Sequence, residues 1–120
     1  MKRILVIEDT EDNRQIMRDL LTSVGYELIE AVNGEEGVAM AKQHKPDLIL
    51  MDIQLPVLDG YEATRRIKAN AALSHIPIIA VTSYALSGDD AKARAAGCDA
   101  YVAKPFSPRQ LLAKMREFVE

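Results

Sequence analysis

Short runs of apolar residues recur along the chain, separated by longer stretches that carry apolar residues at helical spacing. Residues 4–7, 48–51 and 78–81 are each four consecutive apolar residues, a pattern typical of a short strand buried on both faces. Residues 100–103 form a similar run, whereas residues 27–31 are more polar, as expected for a strand at a sheet edge. The pattern therefore predicts five strands.

Each gap between the predicted strands carries a helical pattern. In the first gap, Asp12 is suited to cap the N-terminus of a helix that ends at Gly25. The inward face of this helix is predicted to be Ile16, Met17, Leu20, Leu21 and Val24. The other helices are predicted at residues 34–43, 61–69, 88–96 and 107–120.

The predicted helix at 88–96 differs from the others because it has no large apolar residue. Its inward candidates are Ala91, Ala95 and Ala96. Since burial of apolar surface contributes ~25 cal/mol per Å², alanines hold a helix only weakly. We therefore expect this helix to be the least firmly docked.

Strands and helices alternate in the predicted order, beginning with a strand. A connection of this length between neighbouring strands joins them in parallel, with a right-handed crossover. The sequence therefore predicts an α/β fold of the flavodoxin-like, doubly wound (βα)5 type, with a five-stranded parallel sheet in the order 2-1-3-4-5. At 120 residues the chain is expected to form one domain, residues 1–120.

Composition narrows the classes of function. A net charge of −3 argues against a nucleic-acid binder, which needs a basic surface. No apolar run approaches the ~18–20 residues of a transmembrane helix, and no leader precedes the first strand, so we expect a cytoplasmic protein without membrane contact. The single cysteine, Cys98, excludes an intramolecular disulfide and is expected to be buried and unreactive. The start at Met1 favours a whole protein, and the small, charged surface favours a monomer.

Polar residues follow four of the predicted strands. Glu8 and Asp9 come directly after the first strand, Asp52 after the third, Thr82 after the fourth and Lys104 after the fifth. The carboxyl ends of parallel strands meet at one edge of the sheet, where ligands bind in open α/β folds. We therefore expect these side chains to converge on one site, with Asp52 where its strand emerges from the core.

This set of side chains suits a phosphoryl group. Carboxylates within ~4–6 Å of one another repel, and Mg²⁺ resolves the conflict because it prefers carboxylate, water and phosphate oxygens. Lys104 adds a positive charge, and Thr82 adds a hydroxyl donor for the phosphoryl oxygens. Asp52 is single on its strand, whereas Glu8 and Asp9 are paired, so Asp52 is the expected nucleophile that forms an aspartyl-phosphate.

Each of these residues also has an ordinary interpretation. An acid after a buried strand usually caps a turn, a threonine can simply end a strand, and a lysine usually lies on the surface. Their combination at the ends of separate strands favours the phosphoryl site. The loop after the first strand contains no glycine, which excludes a dinucleotide-binding loop and a P-loop there.

The chain resembles the receiver domain of two-component response regulators, the CheY-like family, over its whole length. The resemblance rests on residues in a fixed order after successive strands: Glu8-Asp9, Asp52, Thr82 and Lys104-Pro105. Within the family the chain is most similar to stand-alone cell-division regulators of the DivK type, through residues 45–56 and the stretches around Ile76-Pro77 and Gly97-Cys98.

The resemblance implies roles for the acidic residues. Asp52 would accept a phosphoryl group from a phosphohistidine, carried by a sensor histidine kinase or a histidine phosphotransfer protein. The carboxylates of Asp9 and Asp52 and the backbone carbonyl of Gln54 would hold Mg²⁺, with Glu8 acting through water. The chain would then be a phospho-accepting signalling switch rather than an enzyme acting on a separate substrate.

The resemblance also implies a conformational response. Lys104 would contact the phosphoryl group, and its bond to Pro105 would be cis. Thr82 would move toward the phosphate, and Tyr101 would turn inward behind it. The implied partner surface is the face of the fourth helix, last strand and last helix, because no output domain follows in this chain.

Three alternatives stay open from the sequence. The first is a phosphorelay intermediate, which would pass its phosphoryl group to a second histidine. The second is a metal-dependent phosphatase of the haloacid-dehalogenase type, although such enzymes need a second Asp two residues after the nucleophile, where Glu11 follows Asp9. The third is a degenerate receiver that binds partners without phosphorylation, which the full set of acceptor-site residues disfavours.

Overall fold

The chain folds into a five-stranded parallel sheet with helices on both faces. The computed structural model describes residues 2–82, 89–104 and 106–119. The strands are β1 (Arg3–Ile7), β2 (Glu27–Ala31), β3 (Leu48–Asp52), β4 (Ile78–Thr82) and β5 (Ala100–Ala103). The helices are α1 (Glu11–Ser23), α2 (Gly34–His44), α3 (Gly60–Ala69), α4 (Asp89–Ala96) and α5 (Pro108–Arg116). The strand order β2-β1-β3-β4-β5 confirms the predicted topology.

Successive residues of the central strands point into two separate apolar cores. Ile4 and Val6 of β1 pack with buried residues of α1 and α5, such as Met17 and Leu111. Residues 5 and 7 of the same strand pack with α2, α3 and α4 on the opposite face. Strands that are covered on both sides need apolar residues at every position, which explains the unbroken runs in the sequence.

Helix α1 begins and packs differently from the prediction. Its N-cap is Thr10, without a side-chain cap hydrogen bond, and Asp12 lies inside the first turn. Met17 and Leu21 are buried, but Ile16 is 62% exposed and Val24 is 43% exposed. The prediction was wrong for these two residues because only one narrow stripe of a helix can face a flat sheet.

Over residues 91–96, the part of α4 whose side chains the structure describes, the buried residues are alanines as predicted, but they lie on a different face. Ala93 and Ala96 are buried, whereas Ala91 and Ala95 are exposed. Positions three apart share one face of a helix, so burial of Ala93 turns its neighbours outward. The predicted first residue of this helix, Gly88, lies outside the described residues.

The end of α4 that leads into β5 is fixed by polar contacts. The Lys68 ammonium donates to the Ile76 carbonyl at 2.8 Å and to Asp99 Oδ2 at 2.9 Å. The same Asp99 oxygen accepts from the Ile78 N–H at 2.8 Å. Cys98 is buried as predicted, and burial raises the pKa of its thiol. A lysine on α3 thus joins the start of β4 to the turn after α4.

Helix α5 is shorter than the prediction. Ser107 and Gln110 form a capping box, and the helix ends at Arg116 instead of continuing to the end of the chain. The Glu117 N–H turns back to the Lys114 carbonyl, which closes the last turn more tightly. Within the described residues, no helix has both the length and the apolar character to cross a membrane.

Candidate functional site

The polar residues predicted to converge do lie at one edge of the sheet. Glu8 follows β1, Asp52 is the last residue of β3, and Thr82 is the last residue of β4. Oxygen atoms of Glu8, Asp9 and Asp52 all lie within 4.8 Å of one another. Asp52 is at the end of its strand as predicted, yet it is only 6% exposed, so it does not emerge from the core.

Glu8 is the most heavily bonded of the acids. Its carboxylate accepts from the Thr10 N–H at 3.1 Å, from Asn13 Nδ2 at 3.2 Å and from the Lys104 ammonium at 3.0 Å. Burial alone would raise the pKa of Glu8, but hydrogen bonds from the Thr10 N–H, the Lys104 ammonium and Asp9, with the charge of Lys104, hold it below its ordinary value. Glu8 is therefore a buried anion in this structure.

Asp9 and Asp52 are shifted in the opposite direction. Asp9 is exposed as a residue. Its pKa is raised first by the hydrogen bond with Glu8, then by partial desolvation of its carboxyl group and by the charge of Glu8. Burial, together with the charge of Glu8, raises the pKa of Asp52 to about 6 against the opposing effects of Lys104 and of the Gln54 N–H. That N–H donates to Asp52 Oδ1 at 3.0 Å, which places the Gln54 peptide beside the acid.

Lys104 reaches over the acidic cluster from the end of β5. Its ammonium lies 3.0 Å from Glu8 Oε1 and 3.7 Å from Asp52 Oδ2. Its backbone N–H donates to the Thr82 carbonyl at 2.6 Å, which joins the ends of β4 and β5. Thr82 is 1% exposed. The predicted convergence of Lys104 with the acids is confirmed, while its bond to Pro105 lies outside the described residues.

Tyr101 lies on β5, three residues before Lys104. It is half-buried and packs against the apolar core beneath α2, α3 and α4. It also lines a shallow groove of about 510 Å³ beside α5, together with Phe106, Gln110 and Lys114.

The acidic cluster fits a hard divalent cation. Across the described parts of the chain, Lys104 is the one cationic side chain that forms an ion pair with any of the three clustered carboxylates, and it pairs with Glu8 and Asp52. The donor atoms are all oxygens, which is the ligand set that Mg²⁺ prefers. The raised pKa values of Asp9 and Asp52 indicate negative charge that Lys104 alone does not balance.

The loop between β3 and α3 is built tightly against the acceptor strand. A Cβ atom at Gly60 would lie 2.4 Å from the Asp52 carbonyl oxygen, and the Gly60 N–H donates to the Ile53 carbonyl at 3.0 Å. Any side chain at position 60 would therefore displace the backbone of Asp52. The sequence alone did not predict this contact, because a glycine after Asp59 is equally consistent with an ordinary turn.

Val57, in the same loop, adopts an unfavourable backbone conformation. Its φ is +69°, its side chain is 77% exposed, and β-branched residues are strongly disfavoured in this region. Because asparagine tolerates the left-handed region, Val57→Asn is expected to raise the free energy of unfolding by about 0.5–1 kcal/mol. Urea unfolding measures the change.

A matched control for Val57 is Val32, another exposed valine. Val32 is 39% exposed and is not among the described residues with positive φ. Val32→Asn is expected to leave stability within about 0.5 kcal/mol of wild type. An equal gain in both variants would show that loss of exposed apolar surface, and not backbone strain, accounts for the effect.

Comparisons with known proteins agree with this architecture. The family model for the response regulator receiver domain matches residues 4–116. The polar-differentiation response regulator DivK of Brucella anthropi is 43% identical over 118 residues, which are 98% of this chain and 96% of that protein. Both matches span nearly the whole chain.

Solved structures of related receiver proteins have the same fold. The receiver domain of sensor histidine kinase PA1611 from Pseudomonas aeruginosa is 39% identical, with a TM-score of 0.91 over 98% of this chain and 96% of that one. That crystal structure has a magnesium ion coordinated in the active site cleft. The chemotaxis protein CheY4 of Vibrio cholerae is 27% identical, with a TM-score of 0.93 over 99% of each chain.

Proposed function

The chain belongs to the response regulator receiver family of two-component signalling proteins, and we propose that it accepts a phosphoryl group on Asp52 in a Mg²⁺-dependent reaction. The observation that supports the proposal most directly is the assembly of the Glu8, Asp9 and Asp52 carboxylates within 4.8 Å, with the Lys104 ammonium beside them. In this proposal residues 1–120 act as a single receiver domain.

The chemistry begins with the Asp52 carboxylate. A pKa of about 6 leaves this group mostly ionised at neutral pH, so it can act as a nucleophile. The Gln54 N–H binds Oδ1, and Oδ2 faces Lys104 at 3.7 Å. In the proposed step Oδ2 attacks the phosphorus of a phosphohistidine, the P–N bond breaks, and its electron pair returns to the imidazole.

The charge that accompanies the phosphoryl group needs partners on the protein. Lys104 is placed to neutralise one phosphoryl oxygen, and the Thr82 hydroxyl can donate to another. Asp9, Asp52 and the Gln54 carbonyl would hold Mg²⁺, with Glu8 acting through water. The bound cation would supply neutralisation of the remaining phosphoryl oxygens. The magnesium in the related PA1611 receiver supports this assignment.

The output of the proposed reaction is a change in partner binding. Thr82 and Tyr101 would link the phosphorylated site to the surface formed by α4, β5 and α5. A sensor kinase or a histidine phosphotransfer protein would donate the group, and a downstream protein would bind that surface. We further propose that the protein acts in the cytoplasm as a monomer, without nucleic-acid or membrane partners and without a separate enzymatic substrate.

The proposal is tested by intact-mass spectrometry after incubation with acetyl phosphate and with phosphoramidate, each with Mg²⁺ or with EDTA. We expect one phosphoryl adduct that requires Mg²⁺. Borohydride reduction followed by peptide mapping should place it on Asp52. An adduct that forms equally in EDTA, an adduct on another residue, or no adduct from either donor would each contradict the proposal.

A further inference from the structure

One arginine in α1 contacts the backbone that carries the acidic pair. The Arg14 side chain is 11% exposed, and its guanidinium donates to the Glu8 carbonyl oxygen at 2.8 Å. That carbonyl belongs to the peptide that joins Glu8 to Asp9. The Glu8 N–H is also bonded, to the Ala31 carbonyl at 3.0 Å. The chain segment that presents both carboxylates is therefore held on either side of Glu8.

Arg14 is itself fixed in place by a network of ion pairs. Its guanidinium bonds Glu11 at 2.5 Å and lies 3.5 Å from Glu30 on β2. Arg18 bonds the same Glu30 at 2.7 Å and lies 3.5 Å from the same Glu11. The two arginines thus share both acids, but within the described contacts only Arg14 also reaches Glu8.

We propose that Arg14 is a positioning residue for the metal site, an inference that rests on the proposed function. The guanidinium fixes the orientation of the Glu8–Asp9 peptide, and this peptide sets the direction of both carboxylates. Asp9 depends on this contact most, because its side chain is exposed whereas the Glu8 carboxylate has three donors of its own. Without Arg14 the peptide can rotate, and Asp9 leaves its place opposite Asp52.

The test compares Arg14→Gln with Arg18→Gln. Both variants remove one guanidinium from the same network, but only the first removes the contact with the Glu8 carbonyl. Groups that orient metal ligands typically change metal affinity by ~10–100-fold when replaced. Mg²⁺ titration by isothermal calorimetry is therefore expected to show about tenfold weaker binding for Arg14→Gln and a change within about twofold for Arg18→Gln.

Thermal unfolding in EDTA separates positioning from general destabilisation. The two glutamine variants are expected to lose similar thermal stability, so that only the metal affinity distinguishes them. Arg14→Lys and Arg18→Lys form a milder pair that keeps the charge, and the lysine at position 14 is expected to restore part of the affinity. If Arg14→Gln does not fold, the Mg²⁺ affinities of Arg14→Lys and Arg18→Lys are compared instead.

The outcomes distinguish this inference from the proposed function. Equal Mg²⁺ affinities for the position 14 and position 18 variants, beside a wild type that binds the ion, would overturn the role of Arg14 and leave the proposed function intact. A wild type that binds no Mg²⁺ would overturn both. Weaker binding that is confined to the position 14 variants supports the inference.

Discussion

Replacing Asp52 with asparagine is expected to stabilise the metal-free protein at neutral pH by about 1–3 kcal/mol. The pKa of Asp52 is raised from its ordinary value of 3.8 to about 6. Ionisation of this carboxylate therefore costs more free energy in the folded chain than in the unfolded chain, where it is exposed to water. Asparagine removes the charge and keeps an oxygen that can accept from the Gln54 N–H. The same substitution is expected to abolish phosphorylation, because an amide oxygen is not a carboxylate nucleophile.

The stabilisation should depend on pH in a definite direction. Between the two pKa values the folded state of wild type binds more protons than the unfolded state, so wild type loses stability as the pH rises from the ordinary pKa of Asp52 to about 6. Below its ordinary pKa the side chain is neutral in both states and contributes no difference. The advantage of Asp52→Asn should therefore be largest near neutral pH and small near about pH 4.

Urea unfolding in EDTA at both pH values measures this difference. Asp47→Asn is the matched control, because Asp47 directly precedes the same strand and is exposed. It is expected to change stability by less than about 1 kcal/mol at either pH. Saturating Mg²⁺ should reduce the difference in stability between Asp52→Asn and wild type, since an ion that binds only the folded wild type stabilises it. If Asp52→Asn is no more stable than wild type at neutral pH, the ionised Asp52 carboxylate does not destabilise the folded protein.

Replacing Lys104 with methionine is expected to destabilise the metal-free protein by about 1–3 kcal/mol at neutral pH. The ammonium is 3.0 Å from Glu8 and 3.7 Å from Asp52, and both carboxylates are buried. Methionine keeps the apolar stem but leaves the acids to repel one another. The loss should be smaller in an Asp52→Asn background, because one of the repelling charges is then absent.

A double-mutant cycle of Lys104→Met and Asp52→Asn, followed by urea unfolding in EDTA, measures this coupling. Lys114→Met serves as the control, since Lys114 pairs at 3.2 Å with the exposed Glu117 at the C-terminal end of α5. Such a surface pair is expected to contribute less than about 1 kcal/mol. Equal losses for the two lysines would mean that Lys104 acts as an ordinary surface residue in the metal-free protein.

Much of the fold and the site was predictable because parallel sheets impose simple geometry. Every residue of an unbroken apolar run is buried only when its strand is covered on both faces, as β1 and β3 are. The residue that follows such a strand must then lie at the carboxyl edge, which is why Glu8, Asp52 and Lys104 could be assigned to one place before any distance was known.

The contacts between helices and the site were less predictable. Asn13 and Arg14 reach Glu8 from the first turn of α1, which begins at Glu11 and not after Asp12, and a difference of two residues rotates a helix face by more than half a turn. A polar first turn suggests solvent exposure in any sequence. The buried side of α4 was equally undetermined, because alanines occupy several faces of that helix and carry no directional signal.

The contacts of Lys68 at the end of α4 fix that helix at one point. Among its residues whose side chains the structure describes, those buried in the core are Ala93 and Ala96, whereas the turn that follows the helix is bonded through Lys68 and Asp99 to the start of β4. The fixed point of α4 is thus the end that joins β5. A displacement of α4 would therefore turn about its last residues, which stay in register with the sheet.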